Sequence, residues 1–339
     1  MNKSLNSFRA ELIDCVLTFL WGQWSRIGVM ASGGGSQQPR IIDPEPMLLV
    51  TLEFSRQDPR IFDAVMDWLV TNGKWINVTR LTTLSKEDKS CDPRVIGAVA
   101  ATLAEHDRTP KWRTLAKLFQ QKKTAEPESL FHKNGKPLLM KSSKSDKIFA
   151  AYGLQREPLR LREQSSPVPM SNPSNLVLRA RAFFGVNIRA DVFTFLLVAG
   201  TSNPSRLARE LGYSQRRVQD ALVDMAAADL FIKVRTDGNR KEYFVDSSKT
   251  THELFGAEQS QATWFNWRAF ARGVTKVWHA TLGLREEGLT PYILESEMGK
   301  AYRDAESDLL AVGINWPSRG GINGFLLSMK DTLSVQTKP

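Results

Sequence analysis

Apolar residues recur at helical spacing along most of the chain. Phe8, Leu12, Val16 and Phe19 form one stripe of a helix predicted over Leu5–Trp21. Ile61, Val65, Trp68 and Leu69 do the same over Ile61–Val70, and Asn72-Gly73 supplies a C-terminal stop. Asp43-Pro44-Glu45, Asp58-Pro59 and Asp92-Pro93 each set a capping acid before a first-turn proline. They predict helix starts, the last running through Leu103, with a short helix over Asn77–Leu84 between them. Residues 1–120 therefore read as an all-helical block.

The pattern then loosens. Residues 107–163 hold 14 Lys/Arg against 6 Asp/Glu, interleaved with Pro and Ser. This reads as a basic linker or surface loop. Gln164–Pro173 (QSSPVPMSNP) is a second break and the clearest domain boundary. Leu176–Phe184 resumes as a helix, basic on one side through Arg179 and Arg181. Towards the C-terminus, Thr263–Leu284 carries a stripe of Trp264, Trp267, Phe270 and Trp278, read as core or dimer packing. Glu295–Val312 is a further helix, and Gly320-Gly321 precedes a last short one. The expected fold is mainly α in four parts: 1–120, a linker 121–175, a winged helix-turn-helix 176–250 and C-terminal helices 251–339.

Composition narrows the classes. The chain has 339 residues, 42% apolar and 24% charged, values of a folded protein of several domains. No apolar run approaches a membrane span, the longest being Val192–Ala199 with Thr194 inside it. The early acids of the N-terminus do not suit a signal peptide. Cys15 and Cys91 give no disulfide framework and point to a reducing, cytoplasmic setting. His106, His132, His252 and His279 are scattered, so no metal or other cofactor is expected. Gly33-Gly34-Gly35 lacks a phosphate-loop pattern, and Asp43, Glu45 and Asp58 read as helix-start residues. With no nucleophile–base pair either, the chain does not read as an enzyme. A net charge of +10 favours an acidic partner, above all nucleic acid.

One stretch is specific. Residues 190–246 read as helix, helix, turn, helix and hairpin. Asp191–Val198 is the first helix and Gly200 stops it. Asn203-Pro204 starts the second, Ser205–Leu211, and Ser214 caps the third, Gln215–Ala228. Ala208 is small where two helices cross, Gly212 tolerates a positive φ at the turn, and Val218 pins the third helix. Val218, Ala221, Leu222 and Met225 share one face of that helix, while Arg216, Asp220, Val223 and Ala227 point away. Leu230–Arg235 and Glu242–Val245 read as two strands around Asp237-Gly238, with a basic tip.

Residues 186–247 resemble bacterial winged-helix transcriptional regulators of the MarR/ArsR-like type. The wider chain, with its DPEPMLLVTLEFSRQDPRIFDAVMDWLVTNG run before YSQRRVQDAL, resembles bacterial proteins found beside abortive-infection nucleotidyltransferases. The resemblance implies double-stranded DNA as partner, a homodimer, and a role in transcription regulation. Ser214, Gln215, Arg216, Arg217, Gln219 and Asp220 would face the major groove. Arg235, Asn239, Arg240 and Lys241 would lie on the backbone from the wing. The other reading is an antitoxin or defence-complex subunit whose winged helix meets a protein or RNA, with a partner encoded nearby.

Overall fold

The computed structural model describes residues 3–30, 39–107, 110–120, 127–133, 136–140, 144–237, 240–246 and 262–333, and these are mainly helical. The triple-glycine stretch and His252 lie outside them. Helix α1 (Leu5–Arg26) starts at Ser4, whose hydroxyl accepts the Ser7 N–H at 3.2 Å. Helices α2 (Pro44–Phe54), α3 (Pro59–Asn72), α4 (Val78–Asp88), α5 (Pro93–His106) and α6 (Lys111–Leu118) follow. Asp58 and Asp92 cap α3 and α5, accepting from the Arg60 and Arg94 N–H groups at 3.0 and 2.9 Å. Asp43 departs from the expected pattern: it precedes α2 without a capping bond, and its carboxylate turns into the interior.

The stretch read as a linker is built into the protein wherever it is described. Strands β1 (Glu128–Ser129), β2 (His132–Lys133) and β3 (Lys136–Pro137), helix α7 (Lys147–Ala151) and strand β4 (Leu154–Gln155) occupy it. β1 pairs in parallel with β4, and β2 runs antiparallel to β3. Leu130, Phe131, Phe149, Tyr152, Leu154 and Val168 are buried. The charge excess reports only the exposed face of this segment; these six apolar residues join the larger core. The proline-rich break is pinned too, since the Ser166 N–H donates to the Gly28 carbonyl at 2.9 Å. Gly28 has φ +106, and a Cβ there would stand 2.6 Å from the Ser166 carbonyl oxygen.

Helices α8 (Leu176–Phe184), α9 (Ile188–Ala199), α10 (Pro204–Leu211) and α11 (Gln215–Ala227) then lead to strands β5 (Ile232–Asp237) and β6 (Arg240–Val245). Helices α12 (Trp267–Leu282), α13 (Pro291–Leu310) and α14 (Gly321–Leu333) complete the described chain. Among the described residues no helix is long and apolar enough to cross a membrane.

Two apolar cores divide these elements. The larger joins α1–α7 to α12–α14, so the expected separation of 1–120 from 251–339 does not hold. Trp267 of α12 stacks on Phe19 of α1 at 5.3 Å, and Phe270 meets the same ring edge-on at 5.4 Å. Helical periodicity marks the buried face of each element but not its partner, and here the partners lie at opposite ends of the chain. The smaller core belongs to α8–α11 and β5–β6, with Trp264 edge-on to Phe195 at 4.8 Å. This second unit is therefore inserted into the first. Both crossings fasten to one short segment: the Ile42 N–H donates to Ser174 O at 2.8 Å, and the Ile41 N–H to Thr263 O at 2.9 Å.

Candidate nucleic-acid interface

Short-range chemistry sets the helix-turn-helix. Asn203 caps α10 by accepting the Arg206 N–H at 2.9 Å, with Pro204 in the first turn. Gly212 ends it in the left-handed region at φ +70, its N–H returning to Ala208 O at 2.9 Å. Ser214 caps α11 through its hydroxyl, which accepts from the Arg217 N–H at 3.4 Å. Val218, Ala221, Leu222 and Met225 are buried against α9, α10 and β5, whereas Ser214, Gln215, Arg216, Arg217 and Asp220 are exposed.

The hairpin follows directly. Ile232 pairs with Val245 and Asp237 with Arg240, so both strands run further towards the tip than the residue pattern predicts. Tyr243 also exchanges backbone hydrogen bonds with Ser202, at 2.9 and 2.8 Å, which ties the hairpin to the turn before α10. Ile232, Tyr243 and Val245 point into the small core; Arg235 and Lys241 are exposed, and the Arg235 guanidinium lies over Phe244 at 5.6 Å. Asn239 lies outside the described residues, and of Arg240 only its strand position is described.

No protein-family model, curated protein or solved structure matches the chain. What the site can do is therefore read from its own geometry.

Arg216 and Arg217 form no ion pair among the described residues, so both charges face solvent at the helix N-terminus. The partial positive charge of that terminus adds to theirs. Gln219 differs from its expected place. It is half-buried and donates through Nε2 to the Tyr243 hydroxyl at 3.0 Å, bracing α11 against the hairpin. The helical spacing put Gln219 on the flank of the exposed face, but the hairpin covers that flank.

The opposite end of the motif holds a buried ion network that the residue pattern did not reveal. Arg80 of α4 is fully buried and donates to both Asp43 oxygens, at 2.5 and 2.6 Å, and to Glu45 at 2.8 Å. Its Nε donates to Leu211 O, the last carbonyl of α10, at 2.7 Å. Arg181 of α8 donates to Glu45 at 2.7 and 2.8 Å and to Asp191 at 3.0 and 3.2 Å. The Tyr213 hydroxyl donates to Asp191 at 2.6 Å and accepts from Asn77 at 3.1 Å. Two arginines thus face three carboxylates, in a network that runs between the two cores. Burial opposes ionisation of Glu45, yet Arg181 and Arg80 outweigh it and hold the carboxyl below its ordinary range. Burial and the neighbouring Asp191 push the Tyr213 hydroxyl well above the ordinary tyrosine range.

The turn is gripped from the C-terminal side as well. Arg268 of α12 donates to Arg209 O at 3.2 Å while held by Asp88 at 2.9 and 3.0 Å. Asn266 donates to Glu210 at 2.5 Å. A Cβ on Gly212 would come within 2.3 Å of the Leu84 side chain. One signal for this was present: Arg181 lies four residues after Val177 and three after Leu178, on an apolar helix face. A charge in that position calls for a buried partner. Elsewhere, His279 Nε2 lies 2.9 Å from Glu53, and no group of three or more His, Cys, Asp or Glu among the described residues is placed to hold a metal ion.

Proposed function

We propose that the protein is a cytoplasmic, dimeric transcriptional regulator that binds double-stranded DNA through α11 and the β5–β6 hairpin. The observation that carries this reading is exposed cationic and amide side chains on two adjoining elements, α11 and the hairpin. Gln215, Arg216 and Arg217 open α11, and exposed Arg235 and Lys241 stand on the adjoining hairpin. In this reading α11 enters the major groove with its N-terminal residues towards base edges. Arg216 and Arg217 suit guanine, Gln215 suits adenine, and Asp220 accepts from cytosine. The hairpin acts as the wing, its cations on phosphate oxygens. Gln219 positions the two parts rather than reading a base. The two cysteines are buried thiols without a disulfide, in keeping with a reducing compartment.

Fluorescence anisotropy tests the proposal, with the duplex upstream of the protein's own gene against a scrambled duplex in a salt series. A preference of about 10³ or more for its own duplex, with a steep salt slope, is expected. Equal affinity for both duplexes would reduce the protein to a non-specific binder. Absence of binding at low salt would remove DNA as its partner.

A further inference from the structure

The basic segment 127–163 plays no part in the DNA reading, yet it builds a cavity of about 590 Å³. That volume lies within the range of small-molecule sites, roughly 300–1,000 Å³. Two of its walls have opposite character.

The cationic wall is an extended run. Exposure alternates along it: Arg160 and Arg162 face outwards, while Leu159 and Leu161 pack on the large core. Carboxylates pin its backbone. Asp146 accepts the Leu159 N–H at 3.1 Å, and Asp67 accepts from Arg162 and Gln164 at 2.8 and 3.3 Å. Arg160 and Arg162 line the cavity and form no ion pair among the described residues. Behind them Arg156 is almost wholly buried. It is held by Asp63 at 2.8 Å and lies over Phe62, Phe131 and Phe149 at 5.2–5.5 Å. Asp63 and Glu157 also line the cavity, so its three arginines face two carboxylates and leave one net positive charge, on the outer side that Arg160 and Arg162 occupy.

The apolar wall is Phe131 with Leu138, Leu139 and Met140. Leu139 is 87% exposed and Leu138 40% exposed. Folding gains nothing from a leucine left in water, whereas a ligand laid across it would cover it.

We propose that this cavity binds a small organic anion: a carboxylate, phosphate or sulfonate head against Arg160 and Arg162, with an apolar body on Phe131, Leu138 and Leu139. Charge complementarity selects the head and the uncovered leucines select the body. The site is independent of the DNA reading.

The test uses the full chain and 8-anilinonaphthalene-1-sulfonate, whose fluorescence reports binding. Saturable binding at one site is expected, and decanoate should displace the probe while inorganic sulfate should not. The double variant Arg160→Ala/Arg162→Ala and the single variant Leu139→Asp should each weaken binding by about tenfold or more. All three positions are surface-exposed or nearly so, and unchanged thermal melting checks that the variants fold. N-phenyl-1-naphthylamine, the same rings without the sulfonate, should bind about tenfold more weakly. Arg113→Ala/Lys117→Ala on α6, which removes the same charge elsewhere, should titrate as the unaltered protein. The proposal fails if binding does not saturate or if the arginine pair titrates as the unaltered protein. It also fails if the uncharged probe binds equally well, or if the α6 variant weakens binding to the same degree.

Discussion

The two ends of the helix-turn-helix face opposite demands. At the N-terminus of α11, Arg216 and Arg217 are exposed and unpaired among the described residues. On α8, 35 positions before Arg216 in the chain, Arg181 is fully buried and each arm of its guanidinium is bonded to a carboxylate. The same residue type thus serves as a free contact and as a rivet. The difference lies in where desolvation has already occurred. A buried arginine has lost its water on folding and depends on its partners; an exposed one keeps its water until a ligand replaces it. The buried network fixes the orientation of α10 and α11 on the larger core.

Breaking the rivet should have the largest effect. Arg181→Ala leaves Arg80 as the one arginine facing three buried carboxylates, and a loss of about 3–5 kcal/mol is expected. Urea unfolding followed by tryptophan fluorescence measures it, and a loss below about 1 kcal/mol, the worth of a surface pair, would erase the contrast between the two ends. Arg216→Ala should do the reverse. Melting stays unchanged while DNA affinity drops by about 1–3 kcal/mol and sequence preference relaxes. A shift in melting temperature with intact binding would place Arg216 in the fold instead. Lys241→Ala should weaken all duplexes alike and lower the salt slope by roughly one unit; a sequence-selective loss would contradict its assignment to phosphate.

A pH series sharpens the buried side. The folded Glu45 carboxyl titrates below its unfolded value, so its contribution is fully present above that value and is lost as pH falls through the folded one. Stability should therefore decline on acidification below about pH 4.3, and Glu45→Gln should flatten that part of the slope. An unaltered slope in the variant would show that Glu45 contributes no proton linkage.

Local grammar was legible along the chain. Asp58-Pro59, Asp92-Pro93 and Asn203-Pro204 start helices by rules confined to three or four residues, and each does so here. The buried face of α11 follows equally from spacing. Partnerships were not legible. Asp43 and Glu45 look like ordinary helix-start acids, but Glu45 meets Arg181 across 136 positions. Gln219 looked exposed because no local rule says which flank a hairpin will cover. The apolar residues of 127–168 were hidden by the charges around them. Pairing over long separations depends on topology, and a single sequence carries no direct mark of it.

The insertion of the small unit into the large one has a consequence for the order of synthesis. A nascent chain emerges from its N-terminus, and α1 must wait for α12 and α14 before Phe8 and Phe19 are covered by Phe325 and Trp267. By then the whole of α8–α11 and the hairpin has left the ribosome and can close its own core. The part that faces outward is thus ready before the frame that holds it. Arg268 and Asn266, at the start of α12, grip the turn only once that helix has been made. A chain released before α12 would leave Phe8 and Phe19 without the rings that cover them.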